Sequence, residues 1–117
     1  MIDLWGLKNC DTCRSARRWL EARGVEFAIH DIRSEPPGQA RLSHWLKSAG
    51  SDVLVNRRGT TWRNLDARAK QRIADNDIVP VLAEFPSLMK RPIMEKGKRV
   101  IVGFDAAGYQ KLLGSSK

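Results

Sequence analysis

A short apolar segment opens the chain, where Ile2, Leu4 and Trp5 predict a first strand over 1–5. Gly6 then releases the backbone into a loop, Leu7-Lys8-Asn9, that delivers Cys10. The period changes next: Cys13, Ala16 and Leu20 fall on one side of a helix over 12–22, while Arg14, Arg17, Arg18 and Glu21 lie elsewhere on it. Gly24 stands at the position of a helix C-cap. Val25, Phe27 and Ile29 alternate with Glu26, Ala28 and His30, which predicts a second strand. Strand, helix and strand within about 30 residues form a βαβ unit, whose strands run parallel with a right-handed crossover.

Pro36-Pro37-Gly38 breaks the chain, and Leu42, Trp45, Leu46 and Ala49 recur at the spacing of a second helix closed by Gly50. The polar stretch 53–63 reads as a surface loop turning around Arg58-Gly59-Thr60-Thr61. Two short helices are expected over 67–74, with Lys70 and Arg72 facing water, and over 78–85, stopped by Pro86. Strands over 92–95 and 99–102 flank Gly97-Lys98 as a hairpin turn. Phe104, Tyr109, Leu112 and Leu113 mark a last helix with Asp105 as its N-cap, followed by a tail over 114–117. The order βαβ, helical segment, ββα is that of an α/β thioredoxin-like fold: a mixed four-stranded sheet with an inserted helical segment.

Composition bounds the possibilities. With 117 residues, 42% of them hydrophobic, the chain suits a single domain over 1–117. An excess of 21 Lys and Arg over 13 Asp and Glu gives a net charge of +8, which suits an acidic surface, a small anion or simply water. No Lys/Arg block of the kind that marks a nucleic-acid patch occurs, so no direct nucleic-acid contact is expected. The four tryptophans, Trp5, Trp19, Trp45 and Trp62, read as packing residues. Two cysteines with His30 and His44 far away make a poor zinc framework, and too few cysteines are present for a disulfide scaffold. With no signal-peptide pattern and no apolar run near the roughly 20 residues of a membrane span, the expectation is a cytoplasmic, monomeric protein without metal, bound cofactor or membrane contact.

The chemistry lies in Cys10-Asp11-Thr12-Cys13. A Cys-x-x-Cys where a strand runs into a helix puts a thiol at the helix's positive end, and such settings lower a thiol pKa from about 8.5 to roughly 3.5–7.5. Cys10 is the candidate nucleophile. Lys8 and Arg14 favour its thiolate, and Asp11 opposes it. Cys13, one turn on, is either the thiol that resolves a mixed disulfide or a small buried hydrophobe on the apolar stripe. Arg91-Pro92 opens a strand where this fold keeps a cis-proline beside the active cysteine, which would make Arg91 an anion or thiolate partner. The other reading is a trans proline starting an edge strand beside a solvated arginine. Arg57, Arg58 and Arg63 would line an anion or glutathione site, or be a solvated loop. His30 and His44 read as structural or surface residues.

Taken together, Gly6-Leu7-Lys8-Asn9-Cys10-Asp11-Thr12, Ala16-Arg17-Arg18-Trp19-Leu20, His30-Asp31, Asn56, Arg58-Gly59-Thr60-Thr61-Trp62-Arg63, Lys90-Arg91-Pro92 and Val102-Gly103-Phe104 resemble the ArsC-like branch of the thioredoxin fold. That branch includes glutaredoxin-linked arsenate reductases, Spx regulators and YffB-type proteins, and the pattern looks most like the YffB type. The resemblance implies a cis Arg91-Pro92 bond and Cys10, Cys13 and Arg91 as the catalytic set. Lys8, Asn9, Thr12, Arg14, Arg58 and Pro92 are the substrate-binding candidates. Two arginines that hold arsenate in the reductases match Asn56 and the 102–103 region, where this chain has no arginine, so weak arsenate chemistry is expected. The YffB likeness implies a glutathione-dependent thiol reductase, with glutathione as co-substrate or glutaredoxin as partner. The Spx likeness implies instead a redox-sensing regulator that binds RNA polymerase.

Overall fold

The computed structural model describes residues 2–114, so Met1 of the first expected strand and 115–117 of the expected tail lie outside the described residues. The chain divides into two compact units, Met1–Ile32 with Arg91–Lys117, and Arg33–Lys90. None of its described helices is long and apolar enough to cross a membrane.

The first unit holds β1 (Ile2–Gly6), α1 (Asp11–Ala22), β2 (Phe27–Asp31), β3 (Ile93–Lys96), β4 (Arg99–Val102) and α7 (Ala106–Gly114). Its four strands lie in the order β2-β1-β3-β4. β1 and β2 run parallel, with Leu4 opposite Ile29, and β3 is antiparallel to both β1 and β4. The mixed four-stranded sheet is therefore the one the pattern predicts. Ile2, Leu4 and Met94 on one face of it pack with Ala16 and Leu20 of α1 and with Tyr109 and Leu112 of α7. Burying these apolar side chains removes about 25 cal/mol of unfavourable hydration per Å².

The other face carries polar groups that satisfy one another. Trp5 Nε1 donates to Glu95 Oε1 at 3.0 Å, and the His30 ring stacks on Trp5 with centroids 4.2 Å apart. His30 Nε2 lies 2.8 Å from Asp3 Oδ1. This is the structural role that alternation with apolar neighbours implies for His30.

Two glycines earn their places by conformation. Gly24, at φ 66°, ends α1 in a Schellman arrangement: its N–H donates to Glu21 O at 3.0 Å and that of Val25 to Leu20 O at 3.1 Å. Gly97, at φ 61°, takes the first position of the two-residue turn between Lys96 and Arg99, which are paired, as a II′ hairpin requires.

The second unit holds α2 (Gln39–Ala49), α3 (Ser51–Leu54), α4 (Thr60–Asn64), α5 (Ala67–Ala74), α6 (Val79–Glu84) and a 3-10 turn (Pro86–Leu88). The stretch 53–63, expected as a surface loop, is instead the end of α3, a bridge and most of α4. Leu54 and Val55 explain the difference: they are 0% and 1% exposed, and Val55 forms an isolated antiparallel bridge with Met89. The bridge is bracketed by Asn56 N–H donating to Leu88 O and Lys90 N–H donating to Leu54 O, both at 2.8 Å. Two apolar residues in a polar run are too few to set a period, yet enough to anchor it. Asp66 caps α5 by accepting the Ala69 N–H at 2.7 Å, and Arg72 pairs with Asp77 at 2.9 Å. Lys70 does not simply face water, because its Nζ lies 5.4 Å from the Trp62 ring centroid. Pro86 both stops α6 and opens the 3-10 turn.

The buried Tyr109 hydroxyl donates to the Gly103 carbonyl at 3.0 Å, and burial holds its pKa above the ordinary phenol value. Tyr109→Phe keeps the ring's packing and deletes this donor. It is expected to cost about 1 kcal/mol, read as a lower midpoint in urea denaturation with the same slope. An unchanged midpoint would show that the Gly103 carbonyl does not depend on the phenol.

Candidate thiol site

The site is built where β1 hands over to α1. Strand β1 stops at Gly6, whose carbonyl accepts the Ile32 N–H at 3.0 Å, and Leu7, Lys8 and Asn9 cross to the helix. Cys10 is the N-cap of α1 in extended conformation (φ −109°, ψ 119°), and its Sγ accepts from Cys13, with a Cys13 N to Sγ distance of 3.4 Å. The sulfur occupies the place a serine or aspartate oxygen usually fills, where orphan N–H groups and the helix dipole favour negative charge.

Cys13 enters the helix on its buried stripe with Ala16 and Leu20 and is 9% exposed. Both cysteines are free thiols. Their acidities are driven apart. Burial acts to raise the Cys10 pKa, but hydrogen bonds from the Cys13 thiol and backbone, together with the Arg91 guanidinium, outweigh it and hold Cys10 below the ordinary thiol value. Cys13 is pushed up to about 12, first by burial and then by its hydrogen bond to Cys10. The pair therefore consists of one sulfur whose thiolate is favoured and one held as a protonated donor.

Arg91 stands beside this pair, and the Arg91–Pro92 peptide bond is cis, as the resemblance implied. Pro92 is buried at the start of β3, and its carbonyl accepts the Gly103 N–H at 2.7 Å. The first unit thus brings Cys10, Cys13, Arg91 and Pro92 together. Lys8, Asn9 and Thr12 are exposed around Cys10. Arg14 is exposed as well, and its Nη1 lies 3.4 Å from Asp11 Oδ1. That partly neutralises the acidic neighbour that sequence set against the thiolate.

Arg58 belongs to the second unit. There Asp52, Val55, Asn56, Arg57, Arg58 and Lys90 line a cleft of about 430 Å³. Asn56 organises this turn: its Oδ1 accepts the Arg58 N–H at 3.1 Å, and Gly59 leaves room for its amide, since a Cβ there would lie 2.8 Å from Asn56 Nδ2. The Arg63 guanidinium clamps the same turn by donating to Arg58 O at 3.3 Å and to Thr60 Oγ1 at 3.2 Å. Three lining residues escaped sequence reasoning, Asp52, Val55 and Lys90. Lys90 had a signal, because it precedes Arg91-Pro92 in the motif; Asp52 had none. Among the described residues no group of three or more His, Cys, Asp or Glu side chains is placed to hold a metal ion.

Comparison with known proteins agrees with this geometry. The ArsC family model matches residues 5–112. An uncharacterized protein of Haemophilus influenzae is 41% identical over 110 residues, covering 94% of this chain and 96% of that one. The global transcriptional regulator Spx 1 of Lactococcus lactis is 32% identical over 107 residues, covering 90% of this chain and 83% of that one. The solved structure of a protein named YFFB (PA3664) superposes with a TM-score of 0.88 at 33% identity, covering 95% of this chain and 97% of that one. An arsenate reductase (ArsC) related protein from Brucella melitensis superposes with a TM-score of 0.73, also at 33% identity, covering 96% and 93%. With its thioredoxin-like fold and nearly its whole length matched, the chain belongs to the ArsC family.

Proposed function

We propose that the protein is a thiol oxidoreductase in which Cys10 is the nucleophile, Arg91 stabilises its thiolate, and glutathione supplies the reducing thiol. The observation that carries this reading is the Cys10 sulfur as N-cap of α1, accepting from Cys13 and with its thiolate favoured by Arg91. A low-pKa thiol that is half-buried rather than sealed off is the kind that reacts.

With a glutathione mixed disulfide as substrate, the Cys10 thiolate attacks the glutathione sulfur. The S–S bond breaks, the substrate's thiolate leaves with the electron pair, and a Cys10–glutathione disulfide remains. A second glutathione thiolate attacks the bound glutathione's sulfur, freeing the Cys10 thiolate and leaving as oxidised glutathione. Cys13, held protonated by a pKa of about 12, is a poor competitor for this second step, which favours glutathione or a glutaredoxin as the resolving thiol. Within the second unit, Arg57, Arg58 and Lys90 line a cleft together with Asp52, a set of cations suited to carboxylate groups. Arsenate fits less well. Asn56, which matches one oxyanion arginine of the reductases, is engaged in its own turn, and Gly103 in the region of the other has no side chain. This chemistry suits a reducing compartment, the cytoplasm.

Incubation with oxidised glutathione followed by mass spectrometry is expected to place one glutathione on Cys10 in the parent and in Cys13→Ser, and none in Cys10→Ser. A parent with neither an adduct nor an internal disulfide at Cys10 sinks the proposal. Arg91→Ala removes a positive charge that favours the thiolate, so the Cys10 pKa rises. The rise of alkylation rate with pH should shift to higher pH, with slower reaction at neutral pH than in the parent. Superimposable profiles would mean that Arg91 does not tune the sulfur.

A second reading has its own support, because relatives about one-third identical over 90% of the chain are named global transcriptional regulators. In it the same thiol pair is a redox switch and the protein docks on RNA polymerase. A pull-down with polymerase under oxidising and reducing conditions discriminates: failure to bind in both states removes the regulator reading.

A further inference from the structure

Gly6 is unlike most glycines of this chain. Gly24, Gly50, Gly97 and Gly103 have positive φ and nothing within 4 Å of an added Cβ, so they are there for their backbone. Gly6 lies in a regular strand without a positive φ, paired with Asp31 across the parallel ladder. Its backbone would accept any residue, and what it lacks is room. A Cβ at position 6 would lie 2.6 Å from Cys13 Sγ, 3.3 Å from Cys13 Cβ and 3.8 Å from Pro92 Cβ. The first distance is one that real Cβ atoms essentially never show, and the atom it meets is the sulfur of the thiol pair.

We infer that Gly6 is a positioning residue for the reactive thiol: its missing side chain forms the seat of Cys13 Sγ against β1, and from that seat Cys13 hydrogen-bonds the Cys10 sulfur. The inference rests on the reading of Cys10 as nucleophile. The Cys13 side chain has one rotatable bond to its sulfur, so a methyl group in the seat leaves it two ways out. Either χ1 turns to another well, or the first turn of α1 moves away from the strand. The first displaces the thiol that Cys13 directs at Cys10, and the second displaces that thiol and the backbone N–H at 3.4 Å; these donors together with Arg91 hold Cys10 acidic. Gly6 touches no substrate. Its effect passes wholly through Cys13, so the two positions must be energetically coupled.

The coupling is tested by following Cys10 alkylation with iodoacetamide against pH in the parent, Gly6→Ala, Cys13→Ala and the double variant, each checked by urea denaturation. Gly6→Ala is expected to move the rise in rate to higher pH, a roughly three- to tenfold fall on the acid side of the profile. Cys13→Ala should shift it in the same direction. With the sulfur gone, adding Gly6→Ala to Cys13→Ala should change the profile and the urea midpoint little, because only the 3.3 Å contact with Cβ remains to be relieved. A reactive parent whose profile Gly6→Ala leaves unchanged overturns the inference and spares the proposed function, and so does a double variant in which the two shifts simply add. A parent whose Cys10 shows no enhanced reactivity at neutral pH overturns both. Should Gly6→Ala fail to fold, recovery of folding in the double variant supports the seat, and a double variant that is equally unfolded refutes it.

Discussion

The chemistry of this molecule depends on how α1 begins. A helix leaves its first N–H groups without partners, and something must accept from them. Here the acceptor is the Cys10 sulfur, taking the Cys13 N–H at 3.4 Å. A single atom therefore caps the helix and sits where the helix favours negative charge on it. Capping favours the thiolate, and the thiolate is the better cap, so the fold's local need and the site's chemical need point the same way. The β1–α1 loop that sets this geometry is only Leu7 to Asn9, which ties the sulfur's position to the sheet rather than to a mobile surface segment.

Two sulfurs one helical turn apart end up with opposite characters because they differ in depth and in what faces them. Cys10 is partly open to solvent and meets donors and a guanidinium, whereas Cys13 is buried beside β1 and meets Cys10. A pair of like groups whose environments separate their acidities has its roles assigned by that separation. The arrangement asks for close packing at Gly6 and at Pro92, positions that carry no reactive group themselves. The sheet register fixes both, since Gly6 ends β1 opposite Asp31 and Pro92 immediately precedes β3.

Much of this was legible in the chain. Alternation marked β2, short apolar segments marked the other strands, the Cys13, Ala16, Leu20 stripe gave α1 and left a buried Cys13 as one of two readings, and Gly24 marked the helix end within a residue. Such features are local, and local periodicity is what a sequence displays most directly. Three things were not legible, each for a physical reason. The bridge of Val55 to Met89 joins residues far apart in sequence, so no window contains it. Lys90 joins the arginine cleft across a similar separation, whereas Asp52 is near Arg57 in sequence but carries no pattern that marks it. Gly6 could be read as a loop residue or a strand terminator, and only the distance from its absent Cβ to a sulfur seven positions on reveals what it excludes.

The proteins this chain resembles include one named as related to an arsenate reductase and others named as transcriptional regulators, and the thiol pair alone does not separate an enzyme from a regulator. Both uses need an acidic Cys10. They differ in what happens after it is oxidised. A switch must store the oxidised state, which an internal Cys10–Cys13 disulfide would do; an enzyme must discard it quickly. The reduced geometry bears on that choice, because a Cys13 thiol that is buried, protonated and seated against the strand attacks slowly, which leaves a Cys10 mixed disulfide open to an external thiol. Within the second unit, the cleft between Asn56 and Lys90, with its two arginines and one lysine, is suited to a small anion. Under the proposed function the buried Cys13 favours turnover, and the residue that holds the balance is Cys13 in its seat rather than Cys10 itself.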